Sequence, residues 1–295
     1  MHPAQPSSQR HLIVNGDDFG FSSGVNQAII AAHEQGILTS TSLMVTGAAF
    51  AEAVELARAQ PRLAVGLHLV LACGRSVLPH SQIPHLVDRA GNFSNQPETA
   101  GIYYHFNAAA RRELPLEIRA QLTKFRATGL PLSHVDGHVH VQIQPVVLHH
   151  LVQLAAEFKI KFVRLPLEDL RASLRADRAD WVAKILLSLV YAGLRHYGAR
   201  VLRAHQIGYV DRVYGLLQSG RMTEAYLLKL IPHIHSQLVE IYAHPAVAIA
   251  GEPANEAYGL GAAERDALMS DRVRALIKSQ GFALTNYSQL GAGSH

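Results

Sequence analysis

The chain has 295 residues, 48% of them apolar and 17% charged, with one cysteine and a formal charge of +4. That length supports a full hydrophobic core, and that composition excludes an intrinsically disordered chain. Cys73 alone excludes an intrachain disulfide framework, so a reducing cytoplasm is the expected compartment.

Residues 1–10 contain no apolar run of the kind a signal peptide needs and are expected to form a disordered tail, as are residues 291–295. Residues 11–290 are expected to form one domain. Within it, short apolar or β-branched runs alternate with longer helical patterns, the signature of βαβ units and a parallel sheet. Strands are predicted at Leu12–Gly16, Thr39–Val45, Leu63–Leu69, Leu132–Asp136, Ile160–Leu165, Ile207–Val210, Leu238–Ala243 and Phe282–Thr285. Helices are predicted at Ser23–Gln35, Ala51–Gln60, Leu116–Thr128 and Pro145–Phe158, and Cys73–Asn107 reads as a loop-rich insertion over one mouth. Seven or eight such units fit a TIM-like, distorted parallel β/α barrel, whose active site belongs at the carboxyl ends of the strands.

Ionisable residues gather at four of those ends. The first strand runs into Asn15-Gly16-Asp17-Asp18-Phe19-Gly20. Adjacent carboxylates after an apolar strand are costly to desolvate unless a cation or proton is shared. The alternative is an Asp pair capping the next helix. The third strand ends in His68, for which a satisfied core histidine is the commoner reading when it is taken alone, and Gly66 two residues earlier signals a close backbone approach. In Ser133-His134-Val135-Asp136-Gly137-His138-Val139-His140, strand periodicity puts His134, Asp136 and His138 on one face if the strand continues that far. Such a trio is untenable in a dry core without a metal or mutual hydrogen bonds; the alternative is a His-rich surface loop. Glu240, Tyr242 and His244 likewise share a face before Pro245 stops the ladder, with a turn histidine as the plainer reading. One Asp and two His with an open coordination position suit a water-activating metal site, and a further Asp and His suit a base and an acid.

At these residues the sequence resembles the YdjC-like (ChbG-type) carbohydrate deacetylases. The resemblance rests on Val14–Gly20, Gly36–Ser40, Val65–Leu69, Asp136-Gly137-His138 and Glu240–Pro245. Gly66–Leu71, Gly74–Pro79, Glu117–Gln121 and Ala127–Leu132 are most similar to the hopanoid biosynthesis-associated branch, HpnK. Two departures stand out: Gly16, where the family often has Ala, and Val141–Gln144, where it often has further His. The resemblance implies a β/α-barrel amide hydrolase that removes acetyl from N-acetylglucosamine units, in this branch from one carried by a hopanoid polyol. It implies that Asp18, His68 and His138 bind one divalent metal (Zn2+ or Mg2+, with other transition metals open), that Asp17 is the base and that His244 is the acid. Asn15, His134, Asp136, His140, Arg164, Glu240 and Tyr242 are expected to support the ligands or touch substrate.

The expected partner is therefore an amino sugar, lipid-linked or a soluble chito-oligosaccharide, with no nucleic acid, since no basic stripe with interleaved aromatics is present. Homodimerisation is left open. Ile185–Leu194, the longest strongly apolar run, is about half the roughly 20 residues needed to span a bilayer. Because Lys159–Arg203 holds ten Lys/Arg against four Asp/Glu, residues 180–195 are expected either to pack on the barrel or to rest peripherally on the inner face of a membrane. Two rival functions remain: phosphoester hydrolysis, disfavoured by the lack of a Gly-rich phosphate cradle, and a non-catalytic sugar- or metal-binding barrel.

Overall fold

The computed structural model describes residues 9–255 and 258–292. Of the two expected tails, residues 1–8 and 293–295 lie outside the described residues. Arg10 already belongs to the first strand and Gly291 to the last helix.

The first half of the chain runs β1 (Arg10–Phe19), α1 (Ser23–Gln35), β2 (Ser40–Leu43), α2 (Phe50–Ala59), β3 (Ala64–Leu69), α3 (Pro97–Phe106), α4 (Ala108–Ala127), β4 (Val135–Gly137) and α5 (Pro145–Phe158). It continues through α6 (Leu170–Ala176), α7 (Trp181–Ala204), β5 (Arg212–Tyr214), α8 (Glu224–Leu230) and β6 (Leu238–Ala243). Last come α9 (Gly261–Met269), α10 (Asp271–Ser279), β7 (Phe282–Thr285) and α11 (Tyr287–Ala292).

Among the described residues seven strands join one parallel sheet, ordered β4-β3-β2-β1-β6-β5 with β7 also beside β1. One edge of β1 pairs β6 from His11 to Gly16; the other takes β7 along Arg10–Ile13 and then β2 from Asn15 onward. Strand alternation divides the core. Leu12 and Val14 point into the large cluster under the helices, whereas Ile13 joins Val213, Tyr242 and Tyr287 in a small cluster on the other face. Asn15 and Asp17 follow Ile13 in that alternation.

The predicted distorted barrel is present, with its distortion concentrated between β4 and β5. The expected strands Ile160–Leu165 and Ile207–Val210 are reduced to single bridges, Val135 to Val163 and Phe162 to Gly208. The reason lies in who satisfies the carbonyls. The Arg195 guanidinium of α7 donates to the backbone oxygens of Leu165, Val210 and Asp211, replacing a neighbouring strand. Pro166 also withholds a donor. Thr39–Val45 contracts to β2, and Leu132–Asp136 shifts to β4. The presumed loop of Cys73–Asn107 contains α3, opened by Pro97 at its first turn. The helix predicted from Leu116 begins at Ala108, where the Asn107 side chain accepts from the Ala110 amide, and carries Pro115 inside it.

Candidate metal and catalytic site

The ladder between β1 and β2 shifts register between Gly16 and Phe19, so Asp17 and Asp18 occupy an irregularity in the strand. Asp18 adopts φ +67, a conformation that β-carbon sterics disfavour and that recurs where a side chain must be re-aimed. Neither aspartate caps α1. Ser22 does so through its Oγ, and Glu252 takes the Ser23 and Gly24 amides.

Asp18 is aimed at two imidazoles. Its Oδ1 lies 3.2 Å from His68 Nε2 and 3.0 Å from His138 Nδ1. His68 reaches this point from the end of β3, fully buried, as does Asp18. His138 gets there differently: β4 stops at Gly137, and the following 3₁₀ turn, with Val139 and His140 left-handed, swings His138 across to β1. The single face expected for His134, Asp136 and His138 therefore ends at Asp136.

Behind His68, Asp136 Oδ1 accepts from Nδ1 at 2.8 Å, which leaves the lone pair of a neutral ring at Nε2, toward Asp18. A lone pair facing a carboxylate at 3.2 Å requires a positive charge between them. Without an ion that charge is a proton. Burial alone would lower the His68 pKa, but Asp136, then Asp18 and Asp17, push it up to about 10. For Asp18, burial is likewise overcome, here by His138 and His68, and the carboxyl is held well below the usual range. One carboxylate and two imidazoles, with ligand atoms within 4.8 Å of one another, fit a divalent ion with coordination positions to spare. A second trio, Asp17, His68 and Asp136, is equally close, but Arg164 already engages both of its carboxylates.

Arg164 is fully buried and organises everything beneath the ion site. It grips Asp17 with both terminal nitrogens at 2.7 and 2.8 Å, and reaches Asp136 at 2.9 Å and Glu240 at 2.6 Å. Its guanidinium lies 4.8 Å from the Tyr242 ring centroid. Burial would raise the Asp17 pKa, yet Arg164 lowers it, and Asp136 is held well below the ordinary range in the same way. Asn15 Nδ2 donates to Asp17 Oδ1 and to Ser42 Oγ, both at 2.8 Å.

The remaining expected residues divide. Glu240 accepts from Arg164 and from the Tyr287 hydroxyl. His134 stacks on the Tyr287 ring at 4.2 Å while its Nε2 lies 3.4 Å from Ser42 Oγ and 3.7 Å from Asp136 Oδ2, and a Cβ at Gly66 would come within 2.4 Å of its ring. His140 Nε2 meets the Tyr242 hydroxyl at 2.8 Å; burial, then the Arg164 charge, pushes its pKa down to about 3, so this ring is neutral. His244 follows β6, its ring 5.7 Å from that of Tyr242, with its amide held by Glu264 and its buried Nδ1 without a hydrogen-bond partner.

Three contributors escaped the sequence reading. Ser42 Oγ donates to Asp136 Oδ2 at 2.5 Å; the hydroxyl run Ser40-Thr41-Ser42 between apolar residues was its signal. Asn255 Nδ2 lies 3.4 Å from Asp18 Oδ2, and Tyr287 braces Glu240. Neither carries a local pattern.

A family model described as YdjC-like protein matches residues 11–279. The chain belongs to the YdjC-like family. Curated relatives called carbohydrate deacetylase include one from Geobacillus stearothermophilus, 32% identical over 80% of both chains, and one from Vibrio vulnificus, 30% identical over 95% of this chain and 96% of the other. A third, from Brevibacillus brevis, is 44% identical across 52% of this YdjC-like chain and 59% of its own length. The crystal structure of a putative cellobiose-phosphate cleavage protein from Enterococcus faecalis superposes with a TM-score of 0.73 at 28% identity, covering 96% and 99% of the two chains.

Proposed function

We propose that the protein is a metal-dependent carbohydrate N-deacetylase that hydrolyses the acetamide of an N-acetylglucosamine group. The observation that carries this reading is the convergence of Asp18, His68 and His138 at the carboxyl ends of β1, β3 and β4, with Asp17 beside them. The three side chains would hold one divalent ion, and such an ion supplies Lewis acidity toward a carbonyl oxygen and lowers the pKa of water. Zinc suits two imidazoles and a carboxylate best by ligand softness.

The chain's own residues supply the proton transfers. Water adds to the acetyl carbon as Asp17 takes its proton. Arg164 keeps Asp17 ionised and fixes its orientation, at the expense of basicity. When the C–N bond breaks, His244 delivers a proton to the nitrogen, because an amide anion is too basic to leave unprotonated. The products are acetate and a free amine. Asp136 fixes the His68 ring, and Tyr242 fills the space between Arg164, His140 and His244.

The substrate we infer is an N-acetylglucosamine unit carried by a hopanoid polyol. Its support is the resemblance of four stretches to the hopanoid-associated branch, three of which, Gly66–Leu71, Gly74–Pro79 and Glu117–Gln121, meet near His68. Buried Glu117 accepts from the Val77 and Leu78 amides, and Gln121 bonds both the amide and the carbonyl of Val70. A soluble chito-oligosaccharide is the second reading. A cleft of about 670 Å³, walled by the connections after β1, β2, β3 and β6 and bearing Glu52, Arg75 and Glu252, favours further sugar units.

Acetate release from N-acetylglucosamine, chitobiose and a hopanoid-linked N-acetylglucosamine, before and after chelation, tests the reading. Release that chelation abolishes and a divalent ion restores is expected; undiminished release from chelated enzyme overturns the metal assignment. His138→Ala should lose stoichiometric metal by elemental analysis, and unchanged content would sink that ligand.

A further inference from the structure

Helix α7 carries no acidic residue, and one of its faces has no partner among the described residues. Lys184, Gly198, Ala199 and Leu202 pack inward. On the opposite side Val182, Leu186, Leu189 and Val190 follow helical spacing, each more than half exposed, with Trp181 and Tyr197 at the two ends. Leu189 is 67% exposed. Contiguous apolar surface of this kind on a folded protein marks an interaction site. Across the 3₁₀ turn 138–143, which contacts both helices, α3 adds Ile102 and Phe106, the latter 79% exposed.

The surroundings select the occupant. Exposed Arg171, Arg175 and Arg178 precede the stripe, exposed Arg200 continues its spacing, and Arg203 follows. None of these five forms an ion pair among the described residues, whereas the nearby acids Asp177 and Asp180 are engaged by Lys184 and Arg221. A second copy placed on this face would bring two such arginine sets together with, among the described residues, only exposed Glu98 of α3, in electrostatic reach of Tyr191, as a free acid on the patch, and like charges across an interface are costly. An anionic lipid surface meets both features at once: headgroups for the arginines, acyl chains for the stripe. Among the described residues no helix is long and apolar enough to cross a membrane, so α7 would lie in the interface plane. The face adjoins the site directly. Tyr191 of α7 sits edge-on to His140 at 5.8 Å, and half-exposed Val139 stands next to His138.

We infer that α7, flanked by α3, is a docking surface for anionic bilayers that presents the metal site to amino sugars standing out of the membrane. This deepens the proposed function and rests on it, by naming the surface on which a lipid-linked substrate is met.

The test floats the full chain with vesicles of phosphatidylcholine alone or mixed with phosphatidylglycerol. Trp181, the sole tryptophan, reports insertion through its emission. Binding to the mixed vesicles only, with a blue shift, is expected. Leu186→Glu with Leu189→Glu should abolish it while acetate release from soluble N-acetylglucosamine is unchanged. Arg171→Gln, Arg175→Gln and Arg178→Gln should each weaken it about fivefold. Absence of binding by the unmodified chain, or binding that survives both Glu substitutions, overturns the inference. So does a dimer in sedimentation that those substitutions dissolve, which would assign the face to a second copy. If no sugar releases acetate, the deacetylase reading falls, while vesicle binding is still decided by its own measurement.

Discussion

The β3-β2-β1-β6 side of the barrel and the sector between β4 and β5 are built on different principles. In the first, continuous parallel ladders fix the backbone, and the site residues sit where those ladders end: Asp18 in a register shift, His68 at the last turn of a paired strand. In the second, single bridges and the Arg195 side chain replace a ladder. Yet that irregular sector contributes Arg164, which touches Asp17 and Glu240 of the regular side and Asp136 of β4 at the boundary. The lesson is a division of labour: backbone regularity sets where the ligands stand, and one buried cation sets their charge.

If that division holds, substitutions on the two sides fail differently. On the regular side, Asp17→Asn keeps shape and should keep the metal, but removes the group that takes the proton. We expect turnover to fall about 10²–10⁴-fold, the usual worth of a general base, with metal content unchanged. Steady-state acetate release alongside elemental analysis checks it, and a normally active Asp17→Asn enzyme would refute the role.

On the irregular side, Arg164→Met should damage the fold first. It strands Asp17, Asp136 and Glu240 in the interior, and removing one partner of a buried ion pair costs about 3–5 kcal/mol. The pH dependence gives the sign. With Arg164 present, Asp17 and Asp136 titrate lower folded than unfolded, so their stabilisation is complete above about pH 4 and is lost as pH falls through their depressed values. Without it, burial raises them, and the loss should be largest at neutral pH and ease in acid. Urea unfolding across that range would show it; a pH-independent loss would mean that packing alone was removed.

These contrasts also explain what could be read in advance. Asp18, His68 and His138 stood out because a chargeable residue at the end of an apolar strand conflicts with its surroundings, but it was the family resemblance that singled them out as a ligand set. Arg164 shows the same conflict inside Phe162-Val163-Arg164-Leu165, but its partners lie 76 and 147 positions away, so its reach could be named and not described. Six of the seven strands among the described residues followed from periodicity, while β5, at Arg212–Tyr214, lay outside every predicted strand. The loss of two expected strands did not follow from it, because it depends on a helix side chain taking carbonyls that a ladder would otherwise satisfy. Asn255 had no signal at all: an isolated Asn in a loop gains meaning only from Asp18 opposite it.

A smaller effect sharpens the ion assignment. In chelated protein His68 is an imidazolium with its pKa raised to about 10 from 6.5. A group raised on folding stabilises fully below its unfolded value, so this contribution should be present below about pH 6.5 and vanish as pH approaches 10. Thermal unfolding of chelated protein should therefore weaken across that window. Restoring the ion should flatten the dependence, because Nε2 then holds metal in place of a proton. A flat profile in both states would contradict the shared charge between His68 and Asp18.

The smallest effect separates stacking from hydrogen bonding where the two sectors meet. Tyr242→Phe retains a ring against Arg164 and deletes only the hydroxyl that His140 Nε2 bonds at 2.8 Å. His140 Nδ1 is already buried without a partner among the described residues, so the ring loses the one hydrogen bond it makes to them. An orphaned buried polar group costs about 1–3 kcal/mol, and a half-buried ring that can re-solvate one nitrogen belongs near the lower figure. Stability should drop by about 1 kcal/mol, with kcat changed less than tenfold. A collapse in kcat comparable with that of Asp17→Asn would instead place the Tyr242 hydroxyl in the proton transfer itself, and the boundary drawn between ion site and scaffold would then pass through Tyr242.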